Sequence, residues 1–303
     1  MLNYKPIALE DKPIINPLLE QLNCNLLNYS FVVQFIYREL IHFEYAFFQD
    51  FLLLKVNVDQ REKFLYPVGS GDVFAVFDAI KSYSFERNGK LSLFQFCEHE
   101  SHIVLEWAKR IEKEGYTYEL IPARAEFEYI YRSDDLINLE GSKLKNKRNH
   151  LNAFMKSYSY EIERITSKNL IEVIQFDEAW NENREISSHS RLIIENMALQ
   201  EAFCHYDELE LEGIMLKVEG HIVGFSIGCP LNEDTYFVLF EKADRNYQGA
   251  YVMLNREFVK HVAHNYKYIN RAEDCGDEGL RKAKLSYAPY CMNEVYYLNV
   301  QKK

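Results

Sequence analysis

Apolar and polar positions alternate along the chain with two different periods, and the switches between them mark out its elements. Over 31–48 apolar and charged residues interleave in a way that predicts a helix. Residues 51–58 (Phe-Leu-Leu-Leu-Lys-Val-Asn-Val) predict a strand with 63–66 as its partner. Val73, Val76, Phe77 and Ile80 then fall at i, i+3, i+4 and i+7, the stripe of a helix, and Asp72 stands where its N-cap belongs. Residues 91–96 return to strand character. Val104, Leu105, Ala108 and Ile111 line one side of a helix over 101–114 that Gly115 closes. Strands over 116–120 and 127–131 follow.

The second half runs through the same order. Helices are predicted over roughly 168–207, and 213–218 with 221–228 form a hairpin around Glu219-Gly220. A strand over 235–240, a turn at Gln248-Gly249-Ala250, a helix over 250–264 and a strand over 266–270 come next. A short helix holding Arg281, Lys282 and Lys284 and a last strand near about 294–300 complete the half. The repeated order predicts an α/β (α+β) protein of two tandem domains, 1–140 and 141–303, each a mixed β-sheet flanked by helices. A length of 303 residues suits two domains.

Two charged stretches stand out from this scaffold. Glu273, Asp274, Asp277 and Glu278 precede Arg281, Lys282 and Lys284 on a loop and helix beyond a strand end. Asp277 is placed to cap that helix, with Asp277–Arg281 and Glu278–Lys282 as i,i+4 pairs. The stretch reads either as a capped surface helix or as a loop that carries chemistry. The other stretch, a basic helix over 141–157, joins the halves. Lys145, Asn149, Asn152 and Lys156 share its polar face, while Leu144, Leu151 and Met155 share an apolar face on which Arg148 also falls. Lys143, Lys147, His150 and Phe154 make a third face. An inward arginine needs a partner, and Glu273, Asp274 or a ligand phosphate are the candidates.

Composition narrows the classes. The 22 Tyr and 20 Phe against 12 Gly and 7 Pro argue for packed regular structure. A net charge of −11 disfavours general binding to nucleic acid or anionic membrane, so any tRNA contact needs a local basic patch. The six cysteines form no C-x-x-C pair and read as reduced thiols of a cytoplasmic protein. His99-Glu-Ser-His102 and His261-x-x-His264 lack the companions of a metal site, and no metal is expected. Neither a signal peptide nor a membrane-spanning segment is expected. No G-x-S-x-G or Cys–His context suggests a covalent nucleophile.

Four stretches carry a family resemblance: "FLYPVGSGDV" (64–73), "DDLINLEGSKLKNKRNHLNAFMKSY" (134–158), "FEKADRNYQGAYVMLNREF" (240–258) and "YKYINRAEDCGDEGLRKAKLSYAP" (266–289). Together they resemble the family containing the C-terminal domain of bacterial phosphatidylglycerol lysyltransferases. That resemblance implies two tandem domains similar to the GNAT acyltransferase fold, and an activity that moves an aminoacyl group from charged tRNA to an acceptor. It implies no tightly bound cofactor, with aminoacyl-tRNA or acyl-CoA as co-substrate and a small molecule or lipid head group as acceptor.

On this reading Glu241, at the end of its strand, orients or deprotonates the acceptor, and Glu273 and Asp274 bind a cationic amino group. Lys143, Lys147, Arg148 and His150 face donor phosphates, joined by Arg281, Lys284 and the Gln248-Gly249-Ala250 turn at a helix start. The first domain's counterpart, Gly69-Ser-Gly-Asp72, puts an acid where phosphate would sit and is expected to be structural. An acyl-CoA-dependent N-acyltransferase and a non-catalytic binding protein on the same fold are the alternatives. The second of these is motivated by Ala272, which precedes Glu273 where the family signature has an acidic pair.

Overall fold

The computed structural model describes residues 2–22, 24–58, 61–182 and 190–303, with the side chains of 190–192 left aside. The chain forms two compact units, Met1–Phe127 with Asn293–Lys303, and Glu128–Met292. The expected division near residue 140 therefore lies earlier, and the C-terminal strand belongs to the first unit. The basic helix is part of the second.

The first unit holds strands β1 (Lys5–Pro6), β2 (Glu44–Phe48), β3 (Phe51–Val58), β4 (Arg61–Phe64), β5 (Val68–Gly69), β6 (Lys90–Cys97) and β7 (Tyr116–Pro122). Its sheet runs β1-β2-β3-β4-β6, then the C-terminal strand Val295–Lys302, then β7, with β5 beside β3. Only β4 and β6 pair in parallel among the registers described. Helices α1 (Lys12–Leu22), α2 (Phe31–Ile36) and α3 (Arg38–Ile41) precede β2, and α4 (Val73–Asn88) and α5 (Glu98–Glu112) pack on the sheet. Asp72 caps α4 as expected, its carboxylate accepting from the Phe74 and Ala75 N–H groups at 3.1 and 3.2 Å. Trp107 and Phe77 meet in the core between these helices and the sheet, with ring centroids 5.2 Å apart.

The helix expected over 31–48 ends early. Glu44–Phe48 is a strand because Tyr45 and Ala46 bury against Leu54 and Leu53 across a two-residue turn. That turn is Gln49-Asp50, without the Asn-Gly signature that would have announced it, although Gln49 adopts a positive φ of 52°.

The second unit is built on β8 (Glu128–Arg132), β9 (Tyr160–Arg164), β10 (Glu212–Val218), β11 (His221–Pro230), β12 (Thr235–Ala243), β13 (Tyr268–Asn270) and β14 (Cys291–Asn293). Their order is β14-β8-β13-β12-β11-β10-β9. β12 and β13 are parallel, so their C-terminal ends open on the same side. The β10–β11 turn has φ of 51° at Glu219 and 80° at Gly220, the mirror-image turn that suits strand twist. Helices α6 (Ser133–Asn138), α7 (Lys145–Ser157), α8 (Leu170–Glu182), α9 (Ser190–Cys204), α10 (Ala250–His261) and α11 (Glu278–Leu285) surround the sheet. Successive residues of β12 point to opposite faces. Glu241 meets Asn255 of α10, and Lys242 meets Asp177 of α8 at 2.5 Å, so α10 and α8 cover opposite faces.

Candidate functional site

The inward stripe of α7 is set by bulk. Leu151 and Phe154 are buried and Lys147 is half-buried, at i+4, i+7 and i, while Met155 is 41% exposed. Leu144 and Leu151 of the expected stripe are buried, but the stripe turns away from Arg148 and Met155 toward Lys147 and Phe154. Phe154 buries more apolar surface than Met155 and lies against Tyr158 and Tyr160, with ring centroids 4.9 and 5.8 Å away. Arg148 turns back along the chain, its guanidinium donating to the carbonyls of Leu139 and Gly141. It meets neither Glu273 nor Asp274. Lys143 and His150 are exposed.

Lys147 points toward a cluster at the open end of β12 and β13. Glu241 lies near the end of β12, and Arg271 directly follows β13. One Glu241 oxygen accepts from Arg271 Nη2 at 2.8 Å and the other from Asn255 Nδ2 at 3.1 Å. The Arg271 backbone is pinned too, its N–H donating to the Tyr129 carbonyl at 3.0 Å. Its guanidinium lies 4.8 Å from the Tyr287 ring centroid and 5.7 Å from that of Tyr131. Lys147 Nζ sits 3.8 Å from the same Tyr287 centroid.

These neighbours shift the titrating groups in different directions. Burial, reinforced by the Arg271 charge and partly offset by Glu241, lowers the Lys147 amine to about 8. Burial opposes the Arg271 charge, but Glu241 and the two tyrosines outweigh it and push that guanidinium further up. Tyr287 is pushed up to about 12, chiefly by burial. Three polar atoms here are buried without a hydrogen-bond partner among the described residues: Arg271 Nη1, Asn255 Oδ1 and Ser226 Oγ. Ser226 is the cross-strand neighbour of Glu241. Buried polar atoms without partners are uncommon in a folded interior, and these three lie around one carboxylate, whose Arg271 partner also hydrogen-bonds Tyr287.

The acidic and basic residues of the 273–284 stretch hold the loop behind Arg271. Asp274 is fully buried and accepts from Arg281 at 2.8 and 2.9 Å, from the Tyr129 hydroxyl at 2.7 Å and from the Gly276 N–H at 2.9 Å. Burial works against its ionisation, yet the Arg281 and Tyr129 contacts hold its carboxyl well below the usual range. Lys284 Nζ donates to the carbonyls of Arg271 and Glu273. Glu273 accepts from the Cys275 thiol at 3.1 Å. Asp277 caps α11 through the Leu280 N–H at 2.7 Å, and Arg281 pairs with Asp274 instead of Asp277.

The turn into α10 is closed by α7. A Cβ on Gly249, at φ +91°, would stand 2.5 Å from the His150 carbonyl oxygen. Ala250 is buried, and the N–H groups of Ala250, Val252 and Met253 donate to carbonyls within the turn at 3.0 Å each. Gln248 is exposed. The structure therefore gathers Lys147 and Glu241, adds Arg271, Asn255, Tyr131 and Tyr287, and leaves Lys143, His150 and Gln248 at the surface. Arg271 lay within the Tyr-Ile-Asn-Arg run of the closing signature, but the charged run after it drew attention away. Among the described residues no cluster suits a metal ion, and no helix is long and apolar enough to cross a membrane.

Two mixed sheets flanked by helices, one with a polar cluster at its parallel strand ends, define a tandem GNAT-like protein. The tandem GNAT protein of the clavulanic acid biosynthesis pathway superposes with TM-score 0.51 at 9% identity, covering 100% of this chain and 98% of that one. The chain belongs to the family described as phosphatidylglycerol lysyltransferase, C-terminal, which it matches over residues 25–299. A conserved protein of unknown function from Bacteroides thetaiotaomicron shares 32% identity and a TM-score of 0.91, over 99% of this chain and 100% of that one. The L-PGS of Bacillus licheniformis superposes with TM-score 0.63 at 18% identity, over 97% and 92%. An uncharacterised protein of Mycoplasmoides gallisepticum is 27% identical over 203 residues, a match that takes in 65% of this chain and 62% of that relative. Family and fold together make the chain acyltransferase-like.

Proposed function

We propose that this protein transfers an activated aminoacyl group from aminoacyl-tRNA to an amine or hydroxyl acceptor. The observation that carries the reading is Arg271, held by Glu241 at 2.8 Å and by Tyr287, with Nη1 buried and without a hydrogen-bond partner of good geometry among the described residues. A fixed cationic donor in a dry site stabilises the oxyanion that forms when an ester carbonyl is attacked, without reorganisation at the moment of reaction. Aminoacyl esters are already activated, so positioning and this stabilisation suffice without a covalent intermediate. The family's name specifies lysyl transfer to phosphatidylglycerol, which makes a cationic amino acid and a lipid head group the first donor and acceptor to offer. Exposed Lys143, just before α7, and Lys145 and Lys156 on it are the basic patch suited to tRNA phosphates.

An acyl-CoA donor is the second reading, favoured by the GNAT-like fold. The closed α10 start speaks against it, because a pyrophosphate at a helix N-terminus needs free N–H groups and a clear approach.

The test offers tRNA charged with labelled amino acids, together with small amines, small alcohols or phosphatidylglycerol vesicles. The expected result is movement of label from tRNA to one acceptor, lowered on the order of 10²-fold by Arg271→Lys. Complete retention of label on tRNA with every acceptor would overturn the reading. Transfer from acetyl-CoA in its place assigns the second, and saturable binding without product makes this a binding protein.

A further inference from the structure

We propose that Lys147 is the general base of this site, taking the proton from the acceptor as its nitrogen or oxygen attacks the carbonyl held by Arg271. The assignment rests on the acyl-transfer reading and names a catalytic residue within it. It starts from a geometric fact: Lys147 Nζ enters the cluster from α7 and lies 3.8 Å over the Tyr287 ring. Among the described residues it makes neither a hydrogen bond nor an ion pair. Glu241 of β12, Arg271 after β13, Tyr287 after α11 and Tyr131 of β8 face it or its immediate neighbours.

Elimination supports the choice. Glu241 already accepts from Arg271 and Asn255 on its two oxygens, so a proton added there would break the clamp that holds Arg271. Tyr287 keeps its proton to about pH 12 and Arg271 keeps its own beyond that. Asp274 is saturated by Arg281, Tyr129 and Gly276, and His150 stands at the surface. Lys147 alone among these combines a nitrogen outside any hydrogen bond or ion pair among the described residues with a proton affinity near neutral pH. A base so poised gives both a sizeable neutral fraction and a useful driving force.

The step balances without any added reagent. The acceptor's heavy atom forms a bond to the carbonyl carbon while neutral Lys147 takes the proton that atom sheds. The tetrahedral oxygen's charge rests on Arg271. Collapse breaks the ester carbon–oxygen bond, and the Lys147 ammonium returns the proton to the departing ribose oxygen.

Two measurements on the intact protein test this. Trace labelling with acetic anhydride across pH, read by peptide mass spectrometry, should give Lys147 a midpoint near about 8. The kcat/KM of transfer should rise along an acid limb with that same midpoint. Lys147→Arg should remove the limb and lower the rate by about 10²–10⁴-fold with a Tm unchanged at pH 6, where both side chains are charged. Exogenous small amines should partly restore Lys147→Ala, in order of their basicity. A labelling midpoint near 10, or transfer with an intact limb in Lys147→Arg, overturns the base and leaves the transferase reading standing. Failure of the wild-type protein to transfer from any donor overturns both.

Discussion

The α-carbon of Gly249 faces the carbonyl oxygen of His150 so closely that a side chain would put its first carbon 2.5 Å from that oxygen. The contact lets α7 rest on the start of α10, and through α7 it sets the depth at which Lys147 enters the cluster. Gly249→Ala adds a backbone clash to the strain of φ +91° and should cost about 2–4 kcal/mol, read as a lower denaturation midpoint at unchanged m. The same closure predicts no thermal shift with acetyl-CoA, where a ligand at a hundred times its Kd would stabilise by ~2.7 kcal/mol. A clear acetyl-CoA shift would mean that the helix start is open.

Lys147 carries a pH-dependent stability effect of its own. Its folded value, lowered by burial and by Arg271, is about 8 against 10.5 when unfolded. Below pH 8 both states hold the proton, and confining the charge beside Arg271 is unfavourable. Between pH 8 and 10.5 the unfolded chain binds more protons, so stability rises with pH. Lys147→Met should therefore raise Tm at pH 7, and the gain should shrink as pH approaches 10. A gain that stays constant with pH would show that the effect is packing and not charge.

Asp274 has the opposite dependence. Its folded pKa is depressed below 3.8 by Arg281 and Tyr129, so its contribution is present above that value and is lost as pH falls through the folded one. Asp274→Asn should lower Tm at pH 6, and the difference from wild type should narrow below pH ~4. Because the clamp supports the loop carrying Arg271, transfer should fall with it at pH 6. Equal Tm values for the two proteins at pH 6 would remove the clamp's structural role.

The buried Lys242–Asp177 pair, 2.5 Å apart and with 4% and 0% of the side chains exposed, ties α8 to the face of the sheet away from Glu241. Asp177→Ala leaves an uncompensated ammonium in the interior and should destabilise by about 3–5 kcal/mol. Lys242→Met with Asp177→Leu should restore much of that loss. A small effect of Asp177→Ala in urea denaturation would show that water reaches Lys242.

Local features were legible in the sequence because their causes are local. The Asp72 and Asp277 caps, the Glu219-Gly220 turn and the α4 stripe depend on residues close together in the chain, and each is found where expected. The parallel pairing of β12 with β13, and the return of Val295–Lys302 to the first sheet, depend on partners far apart in the chain. The face of α7 was decided in the same way. Leu151 belongs to either of two adjacent stripes, and packing of α7 on α10, about a hundred residues further along, makes Phe154 the inward one. That rotation carries Lys147 inward and turns Arg148 to the carbonyls of Leu139 and Gly141. The sequence by itself determined most of the elements, the family signature and the charge of the candidate residues, but not the strand Glu44–Phe48. The tertiary structure decided which charges meet, because Arg271 reaches Glu241 across 30 residues of chain only when two strands and a helix have buried their apolar faces together.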